Sequence, residues 1–443
     1  MDDPAPVPSL QRLSSAVWRG IREDASRLFS GLPLVQQLVL TGALVGLAAG
    51  VSTFVFDWLI VLAESGTLDR LHLLPQPLRV LLLILLPALG AAGGWMMIDY
   101  FCPEAQGHGF DVVAKSIAEG EGRMRGRLNL VKSLASALTI GFGGSAGREG
   151  PSIQIGASAG SWIGQQLRLP VRDLKMVTAA GAAAGLAAAF GTPLAAVFFT
   201  MEVMLRDFAT EAFPAVVIAS VTAVAAARFL LGSERFLVKM TYEWQGTADF
   251  FAYACMGLAI SPLGVLYERA MDLIERVSRD PRLQRWPTWT KPAIGGGLVG
   301  LIALAAPSVL GTGQSTINSA LGGQLSGLHG AAASGAKIAA TALTLGSGGS
   351  GGAFMPAIFI GAAAGRGWAA LLHRLFAFSP HPGTFALIGM ACVITSFYQA
   401  PVTAIVMALE VSQDYDILMP VMVACVIAYV VTRRKRGEAM VEH

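Results

Sequence analysis

The feature that most constrains this chain is an internal repeat. Residues 132–160 align with residues 337–365 at an offset of 205 positions, with 17 identities in 29 positions. Further along, residues 190–203 align with residues 398–411 at an offset of 208 positions. Self-similarity of this kind predicts units of related structure. We therefore expect the chain to fold as two equivalent halves.

The boundaries of the halves follow from composition, because a polar stretch separates two long apolar regions. The expected organisation is a cytoplasmic leader or interfacial helix at 1–34, a first membrane repeat at 35–232, a linker at 233–247, a second membrane repeat at 248–432 and a basic cytoplasmic tail at 433–443. No apolar core with a small-residue cleavage site lies in the leader, so a removed signal peptide is not expected.

The apolar character of the chain predicts a membrane environment. Hydrophobic residues make up 54% of the chain and charged residues 14%, with a mean hydropathy of +0.58. Charge-free runs lie at 35–56, 80–98, 176–201 and 417–432, each near the roughly 20 residues that cross a bilayer as a helix. Gly, Pro and Ser interrupt many of these runs, which lipid tolerates only where the backbone is buried in protein or faces water. We predict an all-α integral membrane protein with broken and re-entrant helices.

Basic residues cluster at the two ends of the chain. They are Arg12, Arg19, Arg22 and Arg27 before the first apolar run and Arg433, Arg434, Lys435 and Arg436 after the last. Because cytoplasmic segments carry excess Lys and Arg, both termini are expected in the cytoplasm. This predicts a multi-pass protein of the inner (plasma) membrane with an even number of crossings. The net charge of +3 gives no argument for nucleic acid.

Glycine-broken segments at equivalent places in two halves indicate a transport protein whose substrate lies where the repeats meet. A helix N-terminus presents unpaired N–H groups and partial positive charge. Two such ends aimed at one point would bind an anion. An anion is therefore favoured over a cation as the transported species.

Two short motifs occupy equivalent places in the repeat: residues 147–151 read GREGP and residues 352–356 read GAFMP. They resemble the G-K/R-E-G-P and G-x-F-x-P signatures of the CLC family of chloride channels and transporters. The resemblance extends over about residues 35–432. It implies an all-helical homodimer of two inverted repeats, in which each subunit has its own anion pathway, with the segments 193–203 and 401–411 near the dimer contact.

The resemblance implies that Glu149 is the gate. Its carboxylate would occupy the outer anion position and would leave it on protonation or on displacement by an incoming anion. Arg148 and Gly150 are expected beside the anion, and Lys132 is expected to supply electrostatic support. An ionisable side chain in a membrane segment favours a functional role. The alternative is a buried glutamate paired with Arg148 or Lys132.

The remaining anion-binding residues implied by the resemblance are His108, Gly109, Ala353 and Phe354. His108 stands where the family has a chloride-coordinating serine, and its ring N–H could donate to an anion. It could instead only cap or pack the loop. The backbone N–H groups of Ala353 and Phe354 would face the anion, and the Phe354 ring would narrow the path.

Two positions depart from the family's pattern. Val203 stands where the proton-coupled exchangers usually have an inner glutamate. This favours a channel over chloride/proton exchange, although Glu202 or water could carry the proton instead. The family's conducting tyrosine would align near Val441, and no tyrosine follows Tyr429, so the inner gate is expected to differ. No paired cytosolic nucleotide-sensing domains are expected after the last span.

Chloride and similar small anions, the lipid bilayer and a second copy of the chain are thus the expected partners, with protons in the antiporter alternative. Fluoride is less favoured because Pro151 retains the usual end of its motif. A carrier of organic anions with an unrelated fold and an intramembrane enzyme using Glu149 and His108 remain as other classes. No clustered metal-ligand spacing or nucleophile motif appears, so no enzyme activity, metal or cofactor is expected. The run GSGGSG at 346–351 satisfies G-x-G-x-x-G but follows no strand.

Overall fold

A computed structural model describes residues 33–208, 211–231, 247–376 and 382–436. Within these ranges the regular structure is helical apart from one isolated β-bridge, which confirms the all-α prediction. The expected leader up to residue 32, the linker from 233 to 246 and the tail from 437 onward lie outside the described residues.

Sixteen α-helices are found in the described ranges, eight before residue 232 and eight after residue 246. The first eight are α1 Leu34–Gly66, α2 Gln76–Phe101, α3 Phe110–Ala118, α4 Arg127–Gly141, α5 Glu149–Gln166, α6 Val171–Phe190, α7 Pro193–Phe199 and α8 Phe213–Leu231. The second eight are α9 Thr247–Ser278, α10 Thr290–Ala305, α11 Gln314–Leu321, α12 Gly327–Gly346, α13 Phe354–Phe376, α14 Pro382–Tyr398, α15 Pro401–Ser412 and α16 Leu418–Arg436. The helices correspond in order, α1 with α9 through α8 with α16.

Six helices of the described part are long and apolar enough to cross a membrane: α1, α2, α6, α8, α9 and α13. On α1, large apolar side chains such as Leu47 and Trp58 are about half exposed. Apolar surface of this kind is stable against lipid and costly against water. The helices therefore agree with the membrane environment that composition predicted.

The charge-free run at 176–201 is not one helix, which corrects the expectation of a single span there. Helix α6 ends at Phe190, and Gly191 takes a left-handed φ of 69°. Pro193 then begins α7. Glycine adopts the left-handed region without strain, and proline suits the first turn of a new helix. Helix α7 is followed directly by a π-helical turn over Thr200–Leu205.

Small residues bring the innermost helices into backbone contact. A Cβ added at Gly156 would collide with the carbonyl oxygen of Gly181, where α5 crosses α6. In the second half a Cβ at Gly361 would collide with the carbonyl oxygen of Gly389, where α13 crosses α14. Membrane helices associate closely through such small residues. The two halves thus pack equivalent helix pairs in the same way.

Paired contacts join the halves about an approximate two-fold axis. Gly147 and Gly352 exchange two backbone hydrogen bonds, each 2.7 Å long, in the antiparallel bridge. The hydroxyl of Ser136 lies 2.8 Å from that of Ser350, and the hydroxyl of Ser145 lies 3.0 Å from that of Thr341. Each contact of one half is repeated by the equivalent residues of the other. The first residues of α5 and α13 are consequently held side by side.

Candidate functional site

The site lies where the N-termini of α5 and α13 meet. Helix α5 begins at Glu149 and α13 at Phe354, which are equivalent positions of the repeat. Close backbone packing here requires glycine: a Cβ at Gly150 would collide with the His108 carbonyl oxygen, and one at Gly109 would collide with the backbone of Gly150. The motif glycines therefore let three chain segments converge on one point.

The Glu149 carboxylate caps the facing helix of the other half. Its Oε1 accepts hydrogen bonds from the backbone N–H groups of Phe354 at 2.6 Å and Met355 at 2.8 Å, and the residue is 0% exposed. Among the described residues, Oε2 is buried and has no hydrogen-bond partner. The donors are the first amides of α13, which have no partner within their own helix. A carboxyl oxygen thus lies where a helix N-terminus binds anions.

The amides that bind the carboxylate differ by one position from the expected pair. The amides that bind the carboxylate come from Phe354 and Met355, one residue further along than the Ala353 and Phe354 pair expected. The reason is that α13 begins at Phe354, so its unpaired amides start there. Met355 follows directly in the same motif and was within reach of sequence reasoning.

The Arg148 guanidinium is bound to other groups. Its Nη1 forms an ion pair with Asp57 at 3.1 Å, and its Nη2 donates to the Ala189 carbonyl oxygen at 2.9 Å. Asp57 is buried on α1 and was missed by sequence reasoning. Its signal was an acidic residue inside the long apolar stretch of that helix, which is rare in membranes. Arg148 thus joins α1 and α6 next to the first residue of α5.

The Lys132 ammonium binds the loop that leads into α3. Its Nζ donates to the carbonyl oxygens of Ala105 at 3.0 Å and Gly107 at 2.9 Å, and the residue is 0% exposed. Lys337, its equivalent, donates to Val309 and Gly311 at 2.9 Å each. The alignment of the two lysines was visible in the sequence. Lys132 therefore fixes the loop that carries His108 and Gly109.

His108 and Ala353 line a cavity of about 190 Å³ beside the site. Carboxylates dominate the rest of its polar lining, with Asp111 from α3 and Glu268, Asp272 and Glu275 from α9. Gly109, which follows His108, has φ +112° and packs against Gly150. Sequence reasoning placed no α9 residue here, because nothing local links that helix to the motif loops.

Glu202 and Glu410 each cap a helix of the opposite half. The Glu202 carboxylate accepts from the Val402 and Thr403 N–H groups at 3.1 and 2.8 Å and from the Thr403 hydroxyl at 2.7 Å. Glu410 accepts from the Leu194 and Ala195 N–H groups at 2.9 and 2.8 Å. Negative charge at a helix N-terminus is stabilising. Glu202 is therefore engaged structurally, and Val203 follows it in the π-helical turn.

These features define a polytopic helical membrane protein with two related halves that oppose their helix N-termini around a buried carboxylate. The chain belongs to the voltage gated chloride channel (CLC) family, whose sequence model matches residues 89–433. This confirms the family resemblance carried by the glycine motifs.

Relatives within the family include named channels and exchangers. A protein of Ralstonia nicotianae, named for its likeness to the chloride channel protein ClcB, is 29% identical and is matched over 89% of this chain and 93% of its own length. The H(+)/Cl(-) exchange transporter ClcA of Yersinia pseudotuberculosis is also 29% identical, over 95% of this chain and 89% of its own length.

Solved structures share the fold. A slow cyanobacterial Cl⁻/H⁺ antiporter superposes with a TM-score of 0.80 at 23% identity, covering 91% of this chain and 95% of its own. A CLC-type fluoride/proton antiporter gives a TM-score of 0.77 at 24% identity, covering 90% and 96%. At these identities the likeness supports the CLC-type fold of inverted repeats.

Proposed function

We propose that this protein moves chloride and similar small anions across the membrane along a path past the N-termini of α5 and α13, with Glu149 as its gate. The observation that carries the proposal is the hydrogen bonding of the Glu149 carboxylate to the Phe354 and Met355 amides. A carboxylate oxygen and a halide are interchangeable partners for such amides. In this arrangement the side chain occupies the position that the transported anion needs.

Gating follows from competition for these amides. While ionised, Glu149 holds the N–H groups of Phe354 and Met355 and blocks the path. Protonation removes its charge, and an arriving chloride then binds the amides in its place. Gly109 and Gly150 let the His108 loop and the start of α5 pack backbone against backbone beside these amides, and Lys132 keeps the His108 loop in position. The side chain of Arg148, which is ion-paired with Asp57, holds the start of α5 in place beside the path.

Passive conduction is the form of transport that we favour. Val203 offers no titratable group, and the Glu202 carboxylate is occupied by the first amides of α15. An internal proton step therefore lacks a carrier at either position. The alternative is chloride/proton antiport, which the carboxylates lining the cavity beside Ala353 favour, since they could pass protons toward Glu149.

We infer a homodimer in the inner membrane with both termini in the cytoplasm. Apolar side chains at the starts of α7 and α15 are exposed, with Leu194 at 51% and Val402 at 36%. The two helices lie together through their exchanged carboxylates. A second copy that covers this face would bury both.

Purified protein in liposomes tests the proposal. Chloride efflux under a clamped potential is measured with the external pH recorded at the same time. We expect chloride flux without stoichiometric proton movement, stimulated by acid. Uphill proton uptake driven by chloride efflux would establish the antiporter instead, and the absence of chloride flux in every variant of Glu149 would contradict both.

A further inference from the structure

Four aromatic rings converge from four helix ends beside the site. Phe110 begins α3, Phe199 ends α7, Phe354 begins α13 and Tyr398 ends α14. Tyr398 lies at the centre, with ring centroids 5.1 Å from Phe354, 5.3 Å from Phe110 and 5.5 Å from Phe199. Phe199 also contacts Phe354 at 5.6 Å and Phe110 at 6.3 Å. We call these residues the ring cluster.

The ring cluster connects the cavity with the gate. Phe110 lines the 190 Å³ cavity together with His108 and Ala353. Phe354 carries at its other end the amide that binds Glu149. Tyr398 and Phe199 fill the space around these two rings, and Phe199 is 0% and Tyr398 7% exposed. An anion that travels from the cavity to the amides therefore meets a continuous aromatic barrier.

Edge-to-face geometry stabilises this barrier. The Tyr398 ring meets Phe110 at 72° and Phe199 at 80°, and Phe199 meets Phe354 at 83°. Pairs of this kind attract one another beyond the contribution of the area that they bury. An apolar constriction excludes water, and a hydrated ion cannot cross it until the rings part. The path from the cavity past the α13 amides is thus closed at two places, by the Glu149 carboxylate and by the ring cluster.

Resting on the function proposed above, we propose that the ring cluster is a second, inner gate and that Tyr398 is its moving part. Tyr398 and Phe199 each contact all three other rings of the cluster, but the centroid distances of Tyr398, 5.1–5.5 Å, are shorter than those of Phe199, 5.5–6.3 Å. Displacing Tyr398 therefore opens the closest contacts of the cluster. It is also the last residue of α14, and Gln399 after it adopts a left-handed φ of 56° that separates α14 from α15. A side chain at such a chain break can move without unwinding either helix.

The phenol suits Tyr398 to this role. Its hydroxyl is the one donor that the side chains of the ring cluster offer, and a displaced ring could present it to a passing anion. Tyr398 would thereby both close the path and bind the anion as it opens. Phe110, Phe199 and Phe354 supply the apolar walls.

The test uses chloride efflux from liposomes with Glu149→Gln as background, so that the outer gate no longer limits flux. Adding Tyr398→Ala should accelerate efflux at least about tenfold, a barrier change near 1.4 kcal/mol. Tyr398→Phe should carry chloride about twofold more slowly than the background, because the blocking ring is kept and the hydroxyl that binds the passing ion is lost. Tyr398→Leu and Phe199→Leu, which keep apolar volume, should give intermediate acceleration and serve if the alanine variant fails to fold.

Phe385→Ala in the same background is the matched control. Phe385 is buried and packs against Tyr253 at 4.9 Å, outside the ring cluster. If Tyr398→Ala and Tyr398→Leu change efflux no more than Phe385→Ala does, the rings only pack the core and the inner gate is wrong. If Glu149→Gln alone carries no chloride, the proposed function itself has failed. The two failures are therefore distinguishable.

Discussion

At equivalent positions of the repeat, one half carries Glu149 and the other carries Phe354. Around them the two halves use the same devices: buried lysines that hold loops, paired hydroxyls across the axis, and glutamates that cap the opposite helix. At the centre the devices differ, since the first half supplies a carboxylate and the second supplies bare amides. The scaffold is symmetric and the site is not.

This difference teaches where function resides in a duplicated fold. Two carboxylates at one point would repel each other, and two sets of bare amides would hold an anion with nothing to release it. One acid facing one set of amides gives a contact that an arriving anion can replace.

The largest effect is expected from Gly109→Ala. Gly109 has φ +112° and lies against Gly150 at the site, whereas its equivalent Gly313, with φ +73°, lies against Phe359. Both alanine variants strain the backbone by about 1–2 kcal/mol. Only Gly109→Ala should reduce chloride flux, by about 100-fold, because it displaces α5. Equal losses in liposome flux for both variants would show that the two loops contribute alike.

Glu149→Gln should have the next largest effect. Removing the charge weakens the hold on the α13 amides, so flux at neutral pH should rise about tenfold. The acid stimulation of flux should disappear, since no proton is then needed to release the side chain. Phe354→Leu, at the equivalent position, keeps the amide and should keep the pH dependence. If the Glu149→Gln variant is still stimulated by acid, Glu149 is not the gate.

Lys132→Met and Lys337→Met form the third comparison. Each removes an ammonium bound to two buried carbonyl oxygens, at a cost of about 1–3 kcal/mol. Thermal unfolding in detergent should show similar losses for both. Chloride flux should fall about fivefold in Lys132→Met alone, because that lysine orients the His108 loop. A matching fall in Lys337→Met would place its loop on the anion path as well.

The smallest effects are expected at the exchanged carboxylates. Glu202→Gln and Glu410→Gln keep one acceptor oxygen for the opposite helix, so each should lower stability by only about 1 kcal/mol. Because the contacts are reciprocal, the two shifts in melting temperature should be alike. Chloride flux should not change. A loss of proton coupling in Glu202→Gln alone would instead identify Glu202 as a proton carrier.

Sequence reasoning predicted the helical fold, the two halves and the convergence of Glu149 with the turn before Phe354. It could do so because glycines at equivalent positions of two motifs indicate that the backbones of the two segments come close together. It missed the break at Gly191, although a glycine and a proline two residues later, Pro193, were a visible signal of one. It also missed the Asp57–Arg148 ion pair and the ring cluster, which both join residues far apart in the chain. No local pattern encodes such pairs, since they depend on how helices cross.

The exchange of carboxylates between α7 and α15 also bears on biogenesis. The first amides of α7, at Leu194 and Ala195, receive their acceptor only when residue 410 has been synthesised. The Glu202 carboxylate likewise has no amide donors until the start of α15 has been synthesised. A nascent chain that has inserted only its first half therefore keeps an uncapped helix and an uncompensated acid in the bilayer. Both helix ends can therefore be capped only after the second half has been synthesised.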